Sequence, residues 1–273
     1  ASAGVTMLPH ILETPRWAGR AWNALPRNNG TYARAAARMA RRYGPRGSFW
    51  RAHRGIPYLP ITSVEIWNEP YLAQFSAGGP HPAAYARLVK ASARAVRRVA
   101  PNVKILLAAD TSAVQANGRY TNWLGPMYRA VPRLNRYFDA VSVHPYAGPG
   151  GPDVYTPGHG TRGQFRRIQE LHAMFLARGA KQPFWITEVG WSTCPSNAGS
   201  CVSPATQAAY TARVFQIVRT EYWGWVRAVF LYNYRDSFLN DATNKEYWFG
   251  LLNHDGTPKP VWNVIQSVTS ATA

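Results

Sequence analysis

The chain has 273 residues, of which 46% are hydrophobic and 13% aromatic, and its 31 basic side chains outnumber 13 acidic ones. This composition excludes an intrinsically disordered protein, and no apolar stretch is long enough to predict a membrane helix. The formal charge of +18 would suit a polyanionic partner. No nucleic-acid-binding motif accompanies that charge, so we expect no nucleic-acid partner and no membrane partner.

The basic residues are mostly arginines that alternate with alanines along predicted helices, as in residues 33–42. Alanine and arginine both favour helices, so this pattern indicates solvated outer helix faces. A genome-wide bias toward alanine and arginine explains the pattern equally well. A polyanionic polysaccharide as substrate stays open at this point.

Predicted strands and helices alternate from one end of the chain to the other. In order they are strand 5–12, helix 32–43, strand 63–68, helix 82–100, strand 104–109, helix 122–130, strand 140–144, helix 164–178, strand 184–187, helix 204–222, strand 228–232 and helix 259–269. This alternation predicts the α/β class, with a parallel sheet and helical crossovers. No interdomain linker or internal repeat is visible, so we expect residues 1–273 to form a single domain.

Two arrangements of such a sheet compete, the doubly wound open sheet and the barrel. A doubly wound fold usually carries a glycine-rich turn after its first strand. Here that turn is Glu13-Thr14-Pro15-Arg16-Trp17, which offers no phosphate cradle. Polar and charged side chains recur instead at the ends of many strands, which is how a barrel builds a site from its loops. We therefore predict a TIM-type (β/α) barrel.

Two scarce carboxylates lie at matching ends of predicted strands, about 120 residues apart. Glu69 ends the segment 64–69, whose apolar residues are Val64, Ile66 and Trp67, and Glu188 follows the apolar run 184–187. A buried parallel strand that delivers one carboxylate at its C-terminal end has this pattern. Cleavage of a glycosidic bond needs two carboxyl groups on one substrate, one as acid and one as nucleophile or base.

Four motifs in chain order resemble clan A of the glycoside hydrolases, in particular its families 5 and 39. They are Trp67-Asn68-Glu69-Pro70, Phe138-Asp139-Ala140-Val141-Ser142-Val143-His144-Pro145-Tyr146, Phe184-Trp185-Ile186-Thr187-Glu188-Val189-Gly190-Trp191 and Asp255-Gly256-Thr257-Pro258-Lys259-Pro260. They resemble the acid/base strand, the sixth strand, the nucleophile strand and the entry to the last helix. The resemblance covers essentially the whole chain.

The resemblance implies a role for five residues. Glu69 would be the acid/base and Glu188 the nucleophile of a retaining hydrolase, with their carboxyl groups about 5–5.5 Å apart. Asn68 would bind the sugar 2-hydroxyl, while His144 and Tyr146 would line the same pocket, with Tyr146 orienting Glu188. The expected substrate is an oligo- or polysaccharide with β-linked glucose or xylose, or an aryl glycoside of these sugars. No cofactor and no metal are expected.

Aromatic side chains are candidates for stacking against sugar rings, because the faces of pyranoses are apolar. Trp17 lies near the end of the first predicted strand, and packing is the competing explanation for it. Tyr232 stands where the clan often carries a tryptophan platform, which puts the sugar specificity in doubt. Trp191 or Trp248 would then supply the missing platform.

Three further carboxylates are assigned structural roles, with substrate contact as the competing interpretation for two of them. Glu65 is expected to pair with an arginine or histidine in the interior. Asp110 and Asp236 follow predicted strands and are expected to cap loops, although either could contact substrate.

Cys194 and Cys201 are the two cysteines of the chain, and six loop-forming residues separate them. Their proximity predicts a small disulfide-closed loop and an oxidising compartment, so we expect secretion. Two free loop thiols are the competing interpretation.

The register of the motifs predicts an incomplete barrel. The strand that carries Glu69 resembles the clan's fourth, yet only one predicted strand precedes it, so about six of eight βα units are expected. The chain would then be a truncation whose gap is closed by a partner protomer in a homo-oligomer, by a repacked loop, or not at all. The alternative to an enzyme is a catalytically weak or inactive carbohydrate-binding protein on the same fold.

Overall fold

A computed structural model describes residues 5–157, 164–196, 200–239 and 241–270. The chain divides into two compact units. Unit 1 comprises Ala1–Ser142 and Met174–Pro183, and unit 2 comprises Val143–Ala173 and Phe184–Ala273.

Unit 1 is built around a parallel sheet in the order β1-β2-β3-β6. The bounds are β1 His10–Ile11, β2 Ser63–Ile66, β3 Lys104–Ala108 and β6 Ala140–Val143, of which the first three residues belong to this unit. The helices are α1 Asn29–Tyr43, α2 Ser48–Ala52, α3 Pro82–Val99 and α4 Leu124–Ala130, with short 3-10 turns at Ala73–Phe75 and Leu134–Arg136. β4 Ser112–Val114 and β5 Tyr120–Asn122 form a separate antiparallel hairpin.

Local sequence signals explain where the long helices of unit 1 begin. The Asn28 side chain accepts a hydrogen bond from the Gly30 amide at 2.8 Å and caps α1. Pro82 occupies the first turn of α3, where its missing amide hydrogen costs nothing. α1 packs on α3, and the buried residues of α1 include the alanines 33, 36 and 40.

Unit 2 contains the parallel strands β7 Phe184–Val189 and β8 Val226–Leu231. Its helices are α5 Ile168–Leu176, of which the first six residues belong to this unit, α6 Pro204–Thr220 and α7 Val261–Ser270. Its 3-10 turns are Gly148–Gly150, Phe165–Arg167 and Lys245–Tyr247. The Ser203 hydroxyl accepts from the Thr206 amide at 3.0 Å and caps α6. The fully buried side chains of this unit include Phe184, Ile186 and Val261.

The α/β class is confirmed. In the described part of the chain six parallel strands, β1, β2, β3, β6, β7 and β8, are each followed by a helix. These are six of the eight strand–helix units of a (β/α) barrel, as the motif register predicts. Among the described residues no helix combines the length and apolar character needed to cross a membrane.

The structure corrects several predicted boundaries. The first strand is confined to His10–Ile11, the two residues that pair with β2, whereas residues 5–12 were predicted; Val5 and Met7 are 66% and 64% exposed. The predicted helix 164–178 is a 3-10 turn followed by α5, which ends at Leu176. The β4–β5 hairpin was not predicted, although Asn117-Gly118 is a strong hairpin signal and Gly118 has φ +77°.

Candidate active site

Glu69 lies in a strained turn immediately after β2. Trp67 has φ 66° and Glu69 has φ 38°, a region that residues with a side chain rarely adopt. Each such residue costs about 1–3 kcal/mol and persists only where the surrounding structure fixes it. The conformation therefore calls for specific contacts around the turn.

The hydroxyl of Tyr32 and the indole of Trp67 supply contacts of this kind. Tyr32 of α1 donates to the carbonyl oxygen of Ile11 at 2.7 Å and accepts from the amide of Trp67 at 2.9 Å, so it joins the end of β1 to the turn. The indole nitrogen of Trp67, which is fully buried, donates to the carbonyl of Phe75 at 2.8 Å. Together these bonds hold both faces of the turn.

Tyr85 of α3 makes the corresponding bridge between β2 and β3. Its hydroxyl donates to the carbonyl of Ile66 at 2.7 Å and accepts from the amide of Ala108 at 2.8 Å. Burial raises the pKa of the Tyr85 and Tyr32 hydroxyls well above the ordinary value, so both remain protonated donors. The end of β2 is thus fixed on both sides before the Glu69 turn begins.

The carboxylate of Glu69 is half-buried, and the Tyr71 hydroxyl lies 3.5 Å from its Oε1. The carbonyl of Tyr71 accepts from the amide of Val114 at 2.7 Å, so the β4–β5 hairpin braces the loop that follows Glu69. Asn68, the predicted ligand of the sugar 2-hydroxyl, is 8% exposed. Unit 1 therefore holds the proposed acid/base on a rigid support.

Glu65 is buried in unit 1 and accepts a hydrogen bond from the hydroxyl of Ser142. This agrees with an interior structural role for Glu65. The predicted arginine or histidine partner stays a prediction.

Glu188 lies within β7, which runs to Val189 rather than ending at residue 187 as predicted. The Tyr146 hydroxyl donates to Glu188 Oε2 at 2.7 Å. The Nδ1 atom of His144 lies 3.7 Å from the same oxygen, and its Nε2 atom lies 3.1 Å from the hydroxyl oxygen of Thr187. Unit 2 thus brings together Glu188 with the two residues, His144 and Tyr146, that were predicted to line its pocket.

An aromatic group surrounds the Tyr146 ring. Tyr232 and Phe249 meet it edge-on, with ring centroids 6.2 Å and 5.9 Å away, and they contact each other at 5.3 Å. The Tyr232–Asn233 peptide bond is cis. A Cβ atom at Gly190 would lie 2.0 Å from the carbonyl oxygen of Tyr232, so only glycine fits after β7. This close approach fixes the position of Tyr232 relative to β7 within the unit.

Two of the three tryptophans predicted as sugar platforms, Trp17 and Trp191, differ in exposure. Trp17 is 77% exposed in unit 1, so a ring face is accessible to solvent there. Trp191 is 2% exposed, and its indole nitrogen donates to the carbonyl of Gly148 at 2.9 Å. Burial favours a packing role for Trp191, and its predicted contact with substrate is not supported by this position.

Asp110 and Asp236 both occupy structural positions. Asp110 accepts from the amide of Thr111 at 2.6 Å, which is a local loop cap. Asp236 is 2% exposed, accepts from the amide of Gly250 at 2.7 Å and forms an ion pair with Lys259 at 2.7 Å. The capping roles predicted for both are thereby supported.

The Lys259 ammonium is the centre of a buried network that the sequence did not reveal. Besides Asp236 it donates to the hydroxyl of Thr193 at 2.8 Å and the carbonyl of Trp248 at 3.3 Å. These contacts join the loop after β7 to the loop after β8. Burial lowers the pKa of Lys259, and the adjacent carboxylate of Asp236 opposes that shift.

The disulfide predicted between Cys194 and Cys201 is present in unit 2, with a Cα–Cα distance of 5.7 Å. Cys194 lies in the loop that directly follows β7. In the described ranges no group of three His, Cys, Asp or Glu side chains has an arrangement that could hold a metal ion.

A family model of the glycosyl hydrolases family 39 matches residues 51–271. Three solved structures share the fold. A family 39 glycoside hydrolase from Bacteroides cellulosilyticus WH2 is 23% identical with a TM-score of 0.67, and the alignment covers 90% of this chain and 46% of that one. A monomeric β-xylosidase from Caulobacter crescentus CB15 is 18% identical with a TM-score of 0.61, covering 96% of this chain and 52% of that one.

The third structure is the GH39 enzyme from Xanthomonas axonopodis pv. citri, which is 18% identical with a TM-score of 0.55. The alignment covers 92% of this chain and 47% of that one. The chain thus spans about half the length of each of these proteins. No curated protein matches the sequence.

Proposed function

Since the chain belongs to family 39 of the glycosyl hydrolases, we propose that it hydrolyses β-O-glycosidic bonds with retention of configuration. Glu188 is the nucleophile and Glu69 the acid/base. The observation that carries the proposal is the hydroxyl of Tyr146 on Oε2 of Glu188, because it orients one carboxylate at the end of a parallel strand, where barrel enzymes place their chemistry.

The reaction proceeds in two displacements. Glu188 attacks the anomeric carbon while Glu69 gives its proton to the departing glycosidic oxygen, which leaves a glycosyl ester on Glu188. Glu69, now a carboxylate, takes a proton from water, and that water replaces Glu188 at the anomeric carbon. Retention requires the two carboxyl groups to lie about 5–5.5 Å apart in the working enzyme.

The residues around each glutamate fit these roles. The Tyr146 hydroxyl stabilises the carboxylate form of Glu188 that attacks the sugar. The strained φ of Glu69 and of Trp67 supports a functional turn, because backbone strain of this kind clusters at active sites. Asn68, next to Glu69, is the residue proposed to bind the 2-hydroxyl group.

The substrate class we propose is β-xylosides and β-glucosides. One structural neighbour is a β-xylosidase from Caulobacter crescentus, so xylosides are the first sugars to test. The disulfide between Cys194 and Cys201 supports an oxidising compartment, and we propose that the protein works outside the cytoplasm.

The test compares the parent chain with Glu69→Gln and Glu188→Gln on a panel of nitrophenyl glycosides. Each substitution should lower turnover of the active sugar by several orders of magnitude, because each removes a separate covalent or proton-transfer step. With a good leaving group, Glu69→Gln should still form the glycosyl ester and stall at its hydrolysis. Azide should then rescue this variant and yield a glycosyl azide of retained configuration.

The same panel separates an enzyme from a carbohydrate-binding protein. A binding protein would retain oligosaccharide affinity and show no turnover in the parent chain. Equal activity in the parent and both variants would remove Glu69 and Glu188 from the mechanism.

A further inference from the structure

The positive charge of the protein is concentrated in one of its two units. Unit 1 contains 22 basic and five acidic residues, a formal charge of +17, whereas unit 2 contains nine basic and eight acidic residues, a charge of +1. A genome-wide bias toward arginine would enrich both units alike. The asymmetry therefore indicates a property of unit 1 rather than of the whole sequence.

The acidic side chains of unit 1 are mostly withdrawn from its outer surface. Glu65 and Asp110 are buried, Glu69 is half-buried, and Asp139 is held by Arg97 at 2.8 Å. From residue 14 to residue 64 the sequence has ten arginines and no acidic residue. The field outside this part of the molecule is therefore strongly positive.

Exposed arginines lie on one face of α3, and other exposed arginines lie on the two helices that pack against it. On α3 the exposed arginines recur at intervals of seven and four residues, a spacing that places them on one side of the helix. α3 packs against both α1 and α4. We define the basic face as Arg38 and Arg41 of α1, Arg87, Arg94 and Arg98 of α3, and Arg129 of α4, all exposed.

None of these six guanidinium groups is neutralised by an ion pair with another described residue. Arg94 instead lies over the ring of Tyr137 at 5.6 Å, an arrangement that keeps its charge available on one side. In unit 2, two of the arginines, Arg166 and Arg213, are paired with Asp153. The guanidinium groups of the basic face are therefore available to bind an anionic ligand.

We propose that the basic face binds an acidic polysaccharide whose sugar residues carry carboxylate groups. Of the 22 basic residues in unit 1, 19 are arginines, and the planar guanidinium matches a carboxylate with two parallel hydrogen bonds. On α3, consecutive arginines of the basic face are about one or two helical turns apart, roughly 5–11 Å. This row of charges suits a ligand whose carboxylates repeat along an extended chain.

Anionic membranes fit the basic face less well. A helix that binds a membrane surface must expose an apolar side to the lipid. The apolar side of α3, including Leu88, Val89 and Val96, is fully buried in unit 1.

The choice of a polysaccharide rather than a nucleic acid rests on the proposed function, since a glycosidase gains from being held on a polymer that contains its substrate.

The experiment measures binding of the full chain, inactivated by Glu188→Gln, to polygalacturonate by titration calorimetry. Neutral xylan, duplex DNA and phosphatidylserine vesicles serve as comparison ligands. We expect polygalacturonate to bind most tightly, with an affinity that falls as salt rises, because exposed charges are screened over about 10 Å at 0.1 M salt.

The test variant is Arg87→Gln/Arg94→Gln/Arg98→Gln, which keeps good helix formers on α3. It should weaken polygalacturonate binding on the order of tenfold, since it removes three charges from one face. The control Arg219→Gln/Arg227→Gln/Lys245→Gln removes the same charge from unit 2 and should bind like the parent. Both sets, made in the active chain, should hydrolyse a small nitrophenyl glycoside normally.

Equal loss of binding in the two triple variants would show a general charge effect and overturn the proposal. Tighter binding of duplex DNA or of vesicles than of polygalacturonate would also overturn it. Because binding is measured in an inactive chain and hydrolysis on a small neutral glycoside, failure of one result leaves the other standing.

Discussion

The phenolic hydroxyl of Tyr146 helps to orient the Glu188 carboxylate. Tyr146 donates to Oε2 at 2.7 Å, and Tyr232 and Phe249 hold its ring in place. A hydrogen bond to a charged group is worth about 1.5–3 kcal/mol. Without this hydrogen bond the carboxylate of Glu188, the proposed nucleophile, would be less well positioned and less readily ionised.

We predict that Tyr146→Phe lowers kcat/KM by roughly ten- to a hundredfold and moves the acid limb of the pH–rate profile upward, since Glu188 loses a donor that favours its ionised form. Steady-state kinetics across pH measure both effects. Tyr210→Phe is the matched control, because its hydroxyl bonds to the carbonyl of Pro149 in the same unit at 3.2 Å. An unchanged profile in Tyr146→Phe would remove the orienting role.

The buried pair of Asp236 and Lys259 lies between β8 and α7, and Lys259 also bonds to Thr193 in the loop after β7. Their side chains are 1% and 3% exposed. Removing one partner of such a pair leaves an uncompensated charge in the interior, at a cost of about 3–5 kcal/mol. The pair is therefore a stability element next to the aromatic group around Tyr146.

We predict that Asp236→Asn lowers the free energy of unfolding by about 3–5 kcal/mol, measured by urea denaturation. The double variant Asp236→Asn/Lys259→Met should recover part of this loss, because no unpaired charge then remains buried. As an exposed control, Asp153→Asn should cost no more than about 1 kcal/mol at neutral pH. A loss below that control value in Asp236→Asn would contradict the assignment.

A second ionic cluster joins α6 to the loop after β6 on the surface of unit 2. Asp153 contacts Arg213 at 2.7 Å and Arg166 at 3.0 Å, and Arg166 also contacts Glu221. The hydrogen bond from Arg213, followed by the contributions of Arg166, lowers the pKa of Asp153 from 3.8 to about 2. The folded state therefore holds this carboxylate ionised at pH values where the unfolded chain protonates it.

The sign of the pH dependence follows from that lowered pKa. The cluster contributes its full stability above about pH 3.8 and loses it as the pH falls toward 2. Because the side chain of Asp153 is 54% exposed, the contribution should stay below about 1 kcal/mol. We predict a shallower loss of stability in Asp153→Asn than in the parent chain over this range, by urea denaturation at several pH values. If the free energy of unfolding fell equally with pH in the two proteins, Asp153 would make no such contribution.

The places of Glu69 and Glu188 along the strands could be predicted from the sequence more directly than the contacts that hold them. Glu69 follows the last residue of β2 by three residues and Glu188 precedes the last residue of β7, close to the predicted strand ends, because buried strands have an apolar pattern whatever surrounds them. The hairpin that braces the Glu69 loop could have been predicted as well, since Asn117-Gly118 is a turn signal. Its hydrogen bond to Tyr71 depends on tertiary packing and could not be predicted from the sequence.

The residues that hold the site could not be predicted, for physical reasons. The hydroxyls of Tyr32 and Tyr85 meet strands that are distant in sequence, and Lys259 pairs with a carboxylate 23 residues away. Such contacts depend on distances that only the folded sheet sets. The arginines were interpreted as solvated helix faces, and the division of charge between the units became visible only once their boundaries were known.

Trapping the glycosyl ester tests directly whether Glu188 is the nucleophile. The parent chain is incubated with the 2-deoxy-2-fluoro derivative of the sugar that the nitrophenyl panel identifies, carrying a dinitrophenyl leaving group, and its peptides are analysed by mass spectrometry. Retention through Glu188 predicts one covalently bound sugar on the peptide that contains residue 188, and none in Glu188→Gln. Label on any other residue, or turnover with an inverted first product and no label, would contradict a retaining mechanism through Glu188.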